Sequence, residues 1–442
     1  MTKPAFGHIC RPLPTLYLQK IFTSSSYSSR PGEGTVTVTA TTTATDSVQQ
    51  DVVIQDVVII GAGMVGAATA IGLAKLGLAV TVIENQPLAQ FDPQQPLDVR
   101  VSALSLASET LLSRLGAWEH IKAMRTAPYL GLETWEMEGF ITRFHASQLQ
   151  QTHLGHIVEN RVVQLGLWQA MAEFDNLSLR LPAKVERFGR NADGIEVVLE
   201  DGTVLHTKLL VGADGANSRV RDFAAIGITA WDYDQWAMLI NIATQTGQQD
   251  VTWQQFTPAG PRSLLPLPGK HASLVWYDSP ARIRQLSQLS NSALAQQIRA
   301  HFPSRLDPEF EVLDKGHFAL TRRHAQRYYR PNLVLLGDAA HTINPLAGQG
   351  VNLGFKDVEA LLAVVSEAQR AGDSWYSDAV LGEYQQRRYR DNQIMMTAMD
   401  SFYAGFSNDL LPLKLARNAA LRLANIDGPL KRRVLKYALG LG

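Results

Sequence analysis

Three glycines at the spacing Gly61-Ala62-Gly63-Met64-Val65-Gly66 are the first residues whose types and positions suggest chemistry. Each has a separate job in holding a dinucleotide: Gly61 permits a tight turn, Gly63 lets backbone approach a pyrophosphate, and Gly66 lets a helix lie close against a strand. The pyrophosphate would rest on the helix N-terminus, where unpaired N–H groups and the dipole favour an anion. Glu84, 18 residues beyond Gly66, is placed to accept hydrogen bonds from an adenosine ribose.

The surrounding elements must make that geometry. Asp56 to Ile60 reads as a short buried strand, the run to Gly77 as a helix, and Ala79 to Ile83 as a second strand ending at Glu84. Val57 to Ala74 also forms 18 residues without a charge, close to the length of a membrane span. Spanning helices are continuous, however, and three glycines interrupt this one.

Two later motifs share the logic of a loop at a strand's end. Leu209 to Val211 runs into Gly212-Ala213-Asp214-Gly215-Ala216-Asn217-Ser218-Arg219. Leu333 to Leu336 runs into Gly337-Asp338-Ala339-Ala340-His341 and then Pro345-Leu346-Ala347-Gly348-Gln349-Gly350-Val351-Asn352. Asp338 can bond ribityl or pyrophosphate-adjacent hydroxyls, while the Pro and Gly residues shape a loop lying flat against a planar ring. From Val351 the apolar positions Phe355, Val358, Leu361, Leu362 and Val365 predict a packed helix. Its N-terminus would point at the ring, which suits a flavin that becomes anionic on reduction. There is no second strand-GxGxxG-helix unit, so a permanent second dinucleotide domain is not expected.

Composition narrows the classes. The 442 residues carry 41 basic and 41 acidic side chains, a net charge of zero, which lacks the basic excess of nucleic-acid binders. One cysteine, Cys10, excludes an internal disulfide framework and thiolate-rich metal sites, and no metal is expected. Residues 1–50 are rich in Ser, Thr and Pro, with four basic residues before the first acid at Glu33; they are expected to be a disordered leader. An organelle transit peptide has the same look.

The order of the three motifs resembles the group A flavoprotein aromatic hydroxylases, the family of para-hydroxybenzoate hydroxylase, over essentially everything from Asp51 onward. More narrowly, Thr252-Trp253-Gln254-Gln255-Phe256-Thr257-Pro258, Leu274-Val275-Trp276-Tyr277-Asp278-Ser279-Pro280 and Asp400-Ser401-Phe402-Tyr403-Ala404-Gly405-Phe406-Ser407-Asn408 are similar to the bacterial ubiquinone-pathway hydroxylases. Bacterial members begin near Asp51, which favours reading residues 1–50 as an extension.

The resemblance implies an α/β fold with a Rossmann-like FAD-binding domain of the para-hydroxybenzoate hydroxylase and glutathione reductase type. An antiparallel-sheet substrate domain would be inserted in it, with C-terminal helices. The expected boundaries are 51–233 for the first part of the FAD domain, with an excursion to the substrate domain near 131–155, then 234–323 for the substrate sheet, 324–390 for the second FAD part and 391–442 for the helical region. Non-covalent FAD would be held by Gly61, Gly63, Gly66, Glu84, Arg100, Asp214, Asp338, Pro345, Gly348, Gln349, Gly350 and Asn352. Arg100, in Asp98-Val99-Arg100-Val101-Ser102-Ala103-Leu104, matches the arginine such enzymes place over the phosphates and ribityl chain. NAD(P)H would be a transient co-substrate.

The implied reaction is FAD-dependent hydroxylation of a polyprenyl benzoquinol by O2, through a flavin C4a-hydroperoxide, in ubiquinone biosynthesis. His324 and Tyr277, with Asp278, are the candidates for a base, each weighed against a structural role. Another ring position and an isoprenoid reductase are the alternatives; the Trp-x-Trp of flavin halogenases is lacking, and nothing points to a non-catalytic scaffold. Residues 409–442 hold seven cations and two acids with interleaved leucines, which suits a membrane surface, a biosynthetic protein complex or packing on the FAD domain. The expected location is cytoplasmic, peripheral at the inner membrane, or the mitochondrial matrix if the leader is a transit peptide.

Overall fold

The computed structural model describes residues 53–192, 194–343, 350–426 and 428–438. The leader with Cys10, and the positions Pro345, Gly348 and Gln349, lie outside the described residues.

A parallel sheet forms first in the logic of the fold. Val53–Ile60 pairs in parallel with Val80–Ile83 on one side and Val204–Gly212 on the other, and these pair in turn with Leu177–Arg180 and Leu333–Leu335. Its inner strands are runs of Val, Ile and Leu rather than alternating patterns, because both faces are covered. The register places Ile60, Ile83, Gly212 and Leu335 in one row across the sheet. The chain therefore leaves four strands at one edge, directly before Gly61, Glu84, Ala213 and Leu336.

Helix Met64–Lys75 follows the first strand and is buried from Gly66 to Ala74, which its small residues allow. A Cβ on Gly72 would sit 2.3 Å from Leu362 Cδ1, so this helix and helix Gly350–Ala371 touch more closely than any side chain permits.

The second layer is an eight-stranded sheet in the order His341–Thr342, Phe310–Ala325, Ile228–Thr244, His271–Asp278, Arg262–Pro266, Val251–Gln255, Gly131–Trp135, Thr142–His145. It is antiparallel except where Val251–Gln255 meets Gly131–Trp135. Alternation sorts its side chains: Met238, Ile240, Leu264, Leu274 and Trp276 pack against helices Pro280–Ser287 and Asn291–His301, while Ala237, Leu265, Val275, Tyr277 and Leu320 form the opposite face. A three-stranded sheet, Val101–Ser105, Gly155–Glu159 and Ala127–Tyr129, stands beside the two.

The α/β class with an inserted sheet and C-terminal helices is the one expected, but the expected boundaries fall inside continuous elements. Residue 233 is within strand Ile228–Thr244, residue 323 within strand Phe310–Ala325, and residue 390 within helix Asp378–Phe406. Each of these long elements continues past the expected boundary without a change in composition, so sequence offers no break there. Among the described residues no helix is long and apolar enough to cross a membrane, and Val57 to Ala74 is strand, turn and helix.

Candidate functional site

The loops at the sheet's common edge line a cavity of about 560 Å³, whose other wall is the Tyr277 face of the large sheet. That is within the usual size of a cofactor or substrate pocket.

The glycine fingerprint is built as its spacing requires. Gly61 has φ +99°, and a Cβ there would lie 2.5 Å from the Ala213 carbonyl oxygen. A Cβ on Gly66 would lie 2.0 Å from the Gly61 oxygen. Gly63 is different: a Cβ would meet nothing within 4 Å, because this glycine faces the cavity. Open space in front of a helix N-terminus, with backbone able to approach it, is a cradle for a pyrophosphate. Glu84 accepts the Ala62 N–H at 2.9 Å and the Gln86 N–H at 2.9 Å, so its carboxylate is held at the strand's end. Gln164 and Trp168, from the neighbouring helix Asn160–Met171, both donate to the Ala62 carbonyl at 2.9 and 2.8 Å and steady the turn.

The second motif presents Ala213, Gly215, Ala216 and Asn217 to the cavity. Asp214 does not line it. Its Oδ2 accepts the N–H groups of Arg219 and Val220 at 2.7 and 3.2 Å, while Oδ1 is buried without a partner among the described residues. Burial raises its pKa above the ordinary carboxylate value, and those backbone bonds oppose the rise. Its visible work is to shape the loop.

Asp338 is the carboxylate that meets the cavity. Its carboxylate makes no hydrogen bond among the described residues and opens to the cavity. Burial raises its pKa, while the charges of His341, Arg100 and Arg323 pull it down. An acceptor with free lone pairs, flanked by cations, fits the hydroxyls of a ribityl chain and the phosphates beyond it. Arg100 lines the same wall, and its guanidinium has no hydrogen-bond partner among the described residues. Gly350 also faces the cavity, at the start of helix Gly350–Ala371, so this helix aims its N-terminus there. The open cradle at Gly63, the unpartnered Asp338 and the two cations together fit FAD.

Several residues take other places than expected. Asn352 accepts the Ser105 N–H at 3.0 Å and the Ser108 hydroxyl at 2.7 Å and donates to the Ala103 carbonyl at 2.8 Å. Its polar atoms are all engaged in bracing the flavin-side helix against the strand Val101–Ser105, and it does not line the cavity. His324 also faces away from the cavity: its Nε2 lies 2.8 Å from the Tyr328 hydroxyl, and its ring stacks on Tyr389. Burial lowers its pKa to about 4. Tyr277 does line the cavity, but burial pushes its phenol pKa up, so it stays protonated and cannot serve as a base at neutral pH. Asp278, its neighbour, points to Arg262 and Trp276 instead.

Sequence reasoning missed two features. Arg323 lines the cavity and is oriented by the Ala216 carbonyl and the Asn217 amide oxygen, both at 3.0 Å. The second is a buried network beneath the Gly337-Asp338 turn. Asp357, fully buried, accepts from the Gly337 N–H at 3.0 Å, His341 Nε2 at 2.5 Å, Arg388 Nε at 2.8 Å and Asn392 Nδ2 at 3.3 Å. Burial alone would raise its pKa, but His341 and Arg388 outweigh that and hold it near about 2. The Asp at the eighth position of a helix otherwise read as apolar was the available signal. Elsewhere, Glu109 accepts from His153 and His156 at 2.8 and 2.7 Å; these ligand atoms lie within 4.8 Å of one another, but each carboxylate oxygen is taken by an imidazole.

Comparison with known proteins agrees with this geometry. Residues 55–398 match the model of the family described as FAD binding domain. The chain is 52% identical over 372 residues to the 3-demethoxyubiquinol 3-hydroxylase of Escherichia coli, covering 84% of this chain and 95% of that one. It is 34% identical to the ubiquinone biosynthesis monooxygenase COQ6, mitochondrial, of Danio rerio, covering 77% of this chain and 79% of that one. Among solved structures, p-nitrophenol 4-monooxygenase PnpA from Pseudomonas putida superposes with a TM-score of 0.71 at 19% identity, covering 88% of this chain and 99% of that one.

Proposed function

The chain belongs to the FAD-binding-domain family of flavin-dependent monooxygenases, and we propose that it hydroxylates the ring of a polyprenyl benzoquinol, the 3-demethoxyubiquinol 3-hydroxylase reaction. NAD(P)H and O2 would be the co-substrates. The observation that carries the reading is the two-walled cavity: flavin-binding loops on one side, an apolar sheet face with one phenol on the other.

Bound FAD supplies the two-electron reduction by NAD(P)H and the activation of dioxygen that hydroxylation needs. This chain's residues do the rest. Gly63 and the N-terminus of helix Met64–Lys75 hold the pyrophosphate, Glu84 the adenosine ribose, and Asp338 with Arg100 the ribityl and phosphate region. Arg323 stands at the cavity wall with its guanidinium fixed by two oxygen acceptors. Leu239, Leu265, Val275 and Phe318 exclude water from the reacting ring, and Tyr277 places a phenol ring on the same wall, where it can position the quinol. An electron-rich quinol ring needs orientation more than deprotonation, which fits a described lining whose only ionisable side chains are Arg100, Tyr277, Arg323 and Asp338.

Pro345, Gly348 and Gln349 are assigned to the flavin ring by resemblance, as is the discontinuous division into FAD and substrate parts. We place the protein where its polyprenyl substrate is, peripheral to a membrane. Expressing the chain in a bacterium lacking the last ring hydroxylase of ubiquinone synthesis tests the reaction. Mass spectrometry should show restored ubiquinone; continued accumulation of the demethoxy intermediate beside flavin-loaded protein would refute the assigned ring position.

A further inference from the structure

Helix Leu411–Ala424 is packed inside out. Its buried face is polar. Asn418, fully buried, donates to Glu136 Oε2 at 2.7 Å and accepts the Met137 N–H at 3.1 Å, and Arg417 donates to Glu136 Oε1 at 2.6 Å. One turn on, the Leu421 carbonyl accepts the Thr142 hydroxyl at 2.7 Å, and Asn425 accepts the Arg143 N–H at 2.9 Å. These contacts recur at the three- and four-residue spacing of one helix face. They use the polar residues to anchor the helix on the strand Thr142–His145 and the turn before it.

The apolar residues are consequently turned outward. Leu411 is 65% exposed, Leu413 50%, Leu415 52% and Leu423 67%, and Ile426 just beyond the helix is 64% exposed. A helix on a water-soluble surface has the opposite arrangement, with its apolar stripe toward the core. Exposed leucines gathered on one short helix mark a surface that meets something apolar. The cations around the leucines say what. Arg422, Arg432, Arg433 and Lys436 are exposed and have no ion-pair partner among the described residues. The last three lie on helix Pro429–Ala438, whose Leu435 is buried in the Tyr277 cluster. The helix is thereby tied to the substrate-side wall while its cations face out. Residues 409–442 carry seven cations against two acids.

We propose that helix Leu411–Ala424, with the cations of helix Pro429–Ala438, docks the protein on an anionic phospholipid bilayer, the leucines entering the interface and the cations meeting the headgroups. A second copy of the chain would bring the same cations face to face, which like-charge repulsion opposes. Apolar insertion combined with headgroup attraction is the recognised chemistry of a helix lying in a membrane surface. The proposal names the surface through which the enzyme reaches a bilayer-borne quinol; it rests on the proposed function for its purpose, while its test does not depend on turnover.

The full-length, flavin-loaded protein is floated with vesicles of phosphatidylcholine alone and with phosphatidylglycerol added. Flotation is expected only with phosphatidylglycerol, and to weaken with added salt. The triple variant Leu411→Ser, Leu415→Ser, Leu423→Ser should lose vesicle binding by about tenfold or more, since it removes outward apolar area without touching the polar anchor. It should keep the flavin absorbance and the turnover of a short-tailed, water-soluble quinol. Absence of flotation by the parent protein overturns the proposal, as does flotation that the leucine variant leaves unchanged. A dimer broken by the same variant, with no flotation, overturns it in favour of a second copy. A parent protein that floats but does not hydroxylate the soluble quinol refutes the proposed reaction and leaves the docking surface standing.

Discussion

The two walls of the cavity recognise in different ways. The parallel-sheet wall offers its ligand a large share of backbone beside the charged Asp338, Arg100 and Arg323: Gly63, Gly215, Gly337 and Gly350 line it, and two of these glycines have positive φ. The opposite wall meets its ligand with side chains on an antiparallel face, Leu239, Leu265, Val275, Tyr277 and Phe318. Backbone recognition demands particular residues, because only glycine fits a positive φ or a close approach. Side-chain recognition on an apolar sheet tolerates any residue of suitable size, so it can change substrate without changing fold.

Substitutions on the two walls should therefore fail in different currencies. The largest effect is expected at Gly66, where alanine would place a Cβ 2.0 Å from the Gly61 oxygen. Gly66→Ala should purify without flavin, read by the absorbance of the isolated protein; normal flavin content would break the distinction between the walls. Next comes Asp357 beneath the flavin-side turn. Asp357→Asn leaves Arg388 and His341 without their buried anion and should cost about 3 kcal/mol or more in denaturant unfolding. The intact pair also sets an acid limit. The pKa of Asp357 is depressed to about 2 in the folded protein against 3.8 for a free side chain, so its stabilisation is present above that range and is lost as pH falls from about 4 through 2.

Asp338→Asn keeps the shape but removes a charge-assisted acceptor, and should weaken FAD binding by about tenfold, measured by fluorescence titration. On the other wall, Tyr277→Phe should leave flavin affinity unchanged and lower quinol turnover by about threefold to tenfold. A matched loss of flavin would show that Tyr277 belongs to the cofactor side. The smallest effect is expected at His324. Burial lowers its pKa to about 4 from 6.5, so the folded state binds its proton less readily than the unfolded state. Its stabilisation is complete above pH 6.5 and declines as pH falls toward 4. His324→Gln should flatten that part of the stability profile, followed by the denaturant midpoint.

The contrast also explains what could be read from the sequence. Gly61, Gly63, Gly66 and the Gly337-Asp338 turn were legible because their roles are conformational and local. The sheet face with Leu265, Val275 and Tyr277 is legible in the same way, because the region 234–323 alternates apolar and polar residues in places and period two needs no distant partner to be recognised. Asn352 looked like a ring contact, yet its partners Ser105 and Ser108 are more than 240 residues away in the chain and no local pattern announces them. His324 and Asp357 were hidden for the same reason: their network joins a strand, a turn and two helices. The C-terminal leucines and cations were visible as composition, but which face they took depended on Glu136, whose bonds to Arg417 and Asn418 turn the polar side inward.

The central claim is that one wall holds flavin while the other orients a polyprenyl quinol for oxygen insertion. The most direct measurement supplies the FAD-loaded protein with NAD(P)H, a demethoxyubiquinol and isotopically labelled dioxygen, and analyses the quinone by mass spectrometry. One labelled oxygen should appear on the ring, in proportion to the nicotinamide oxidised. Nicotinamide oxidation that yields only hydrogen peroxide and unaltered quinol, with flavin fully bound, would contradict it.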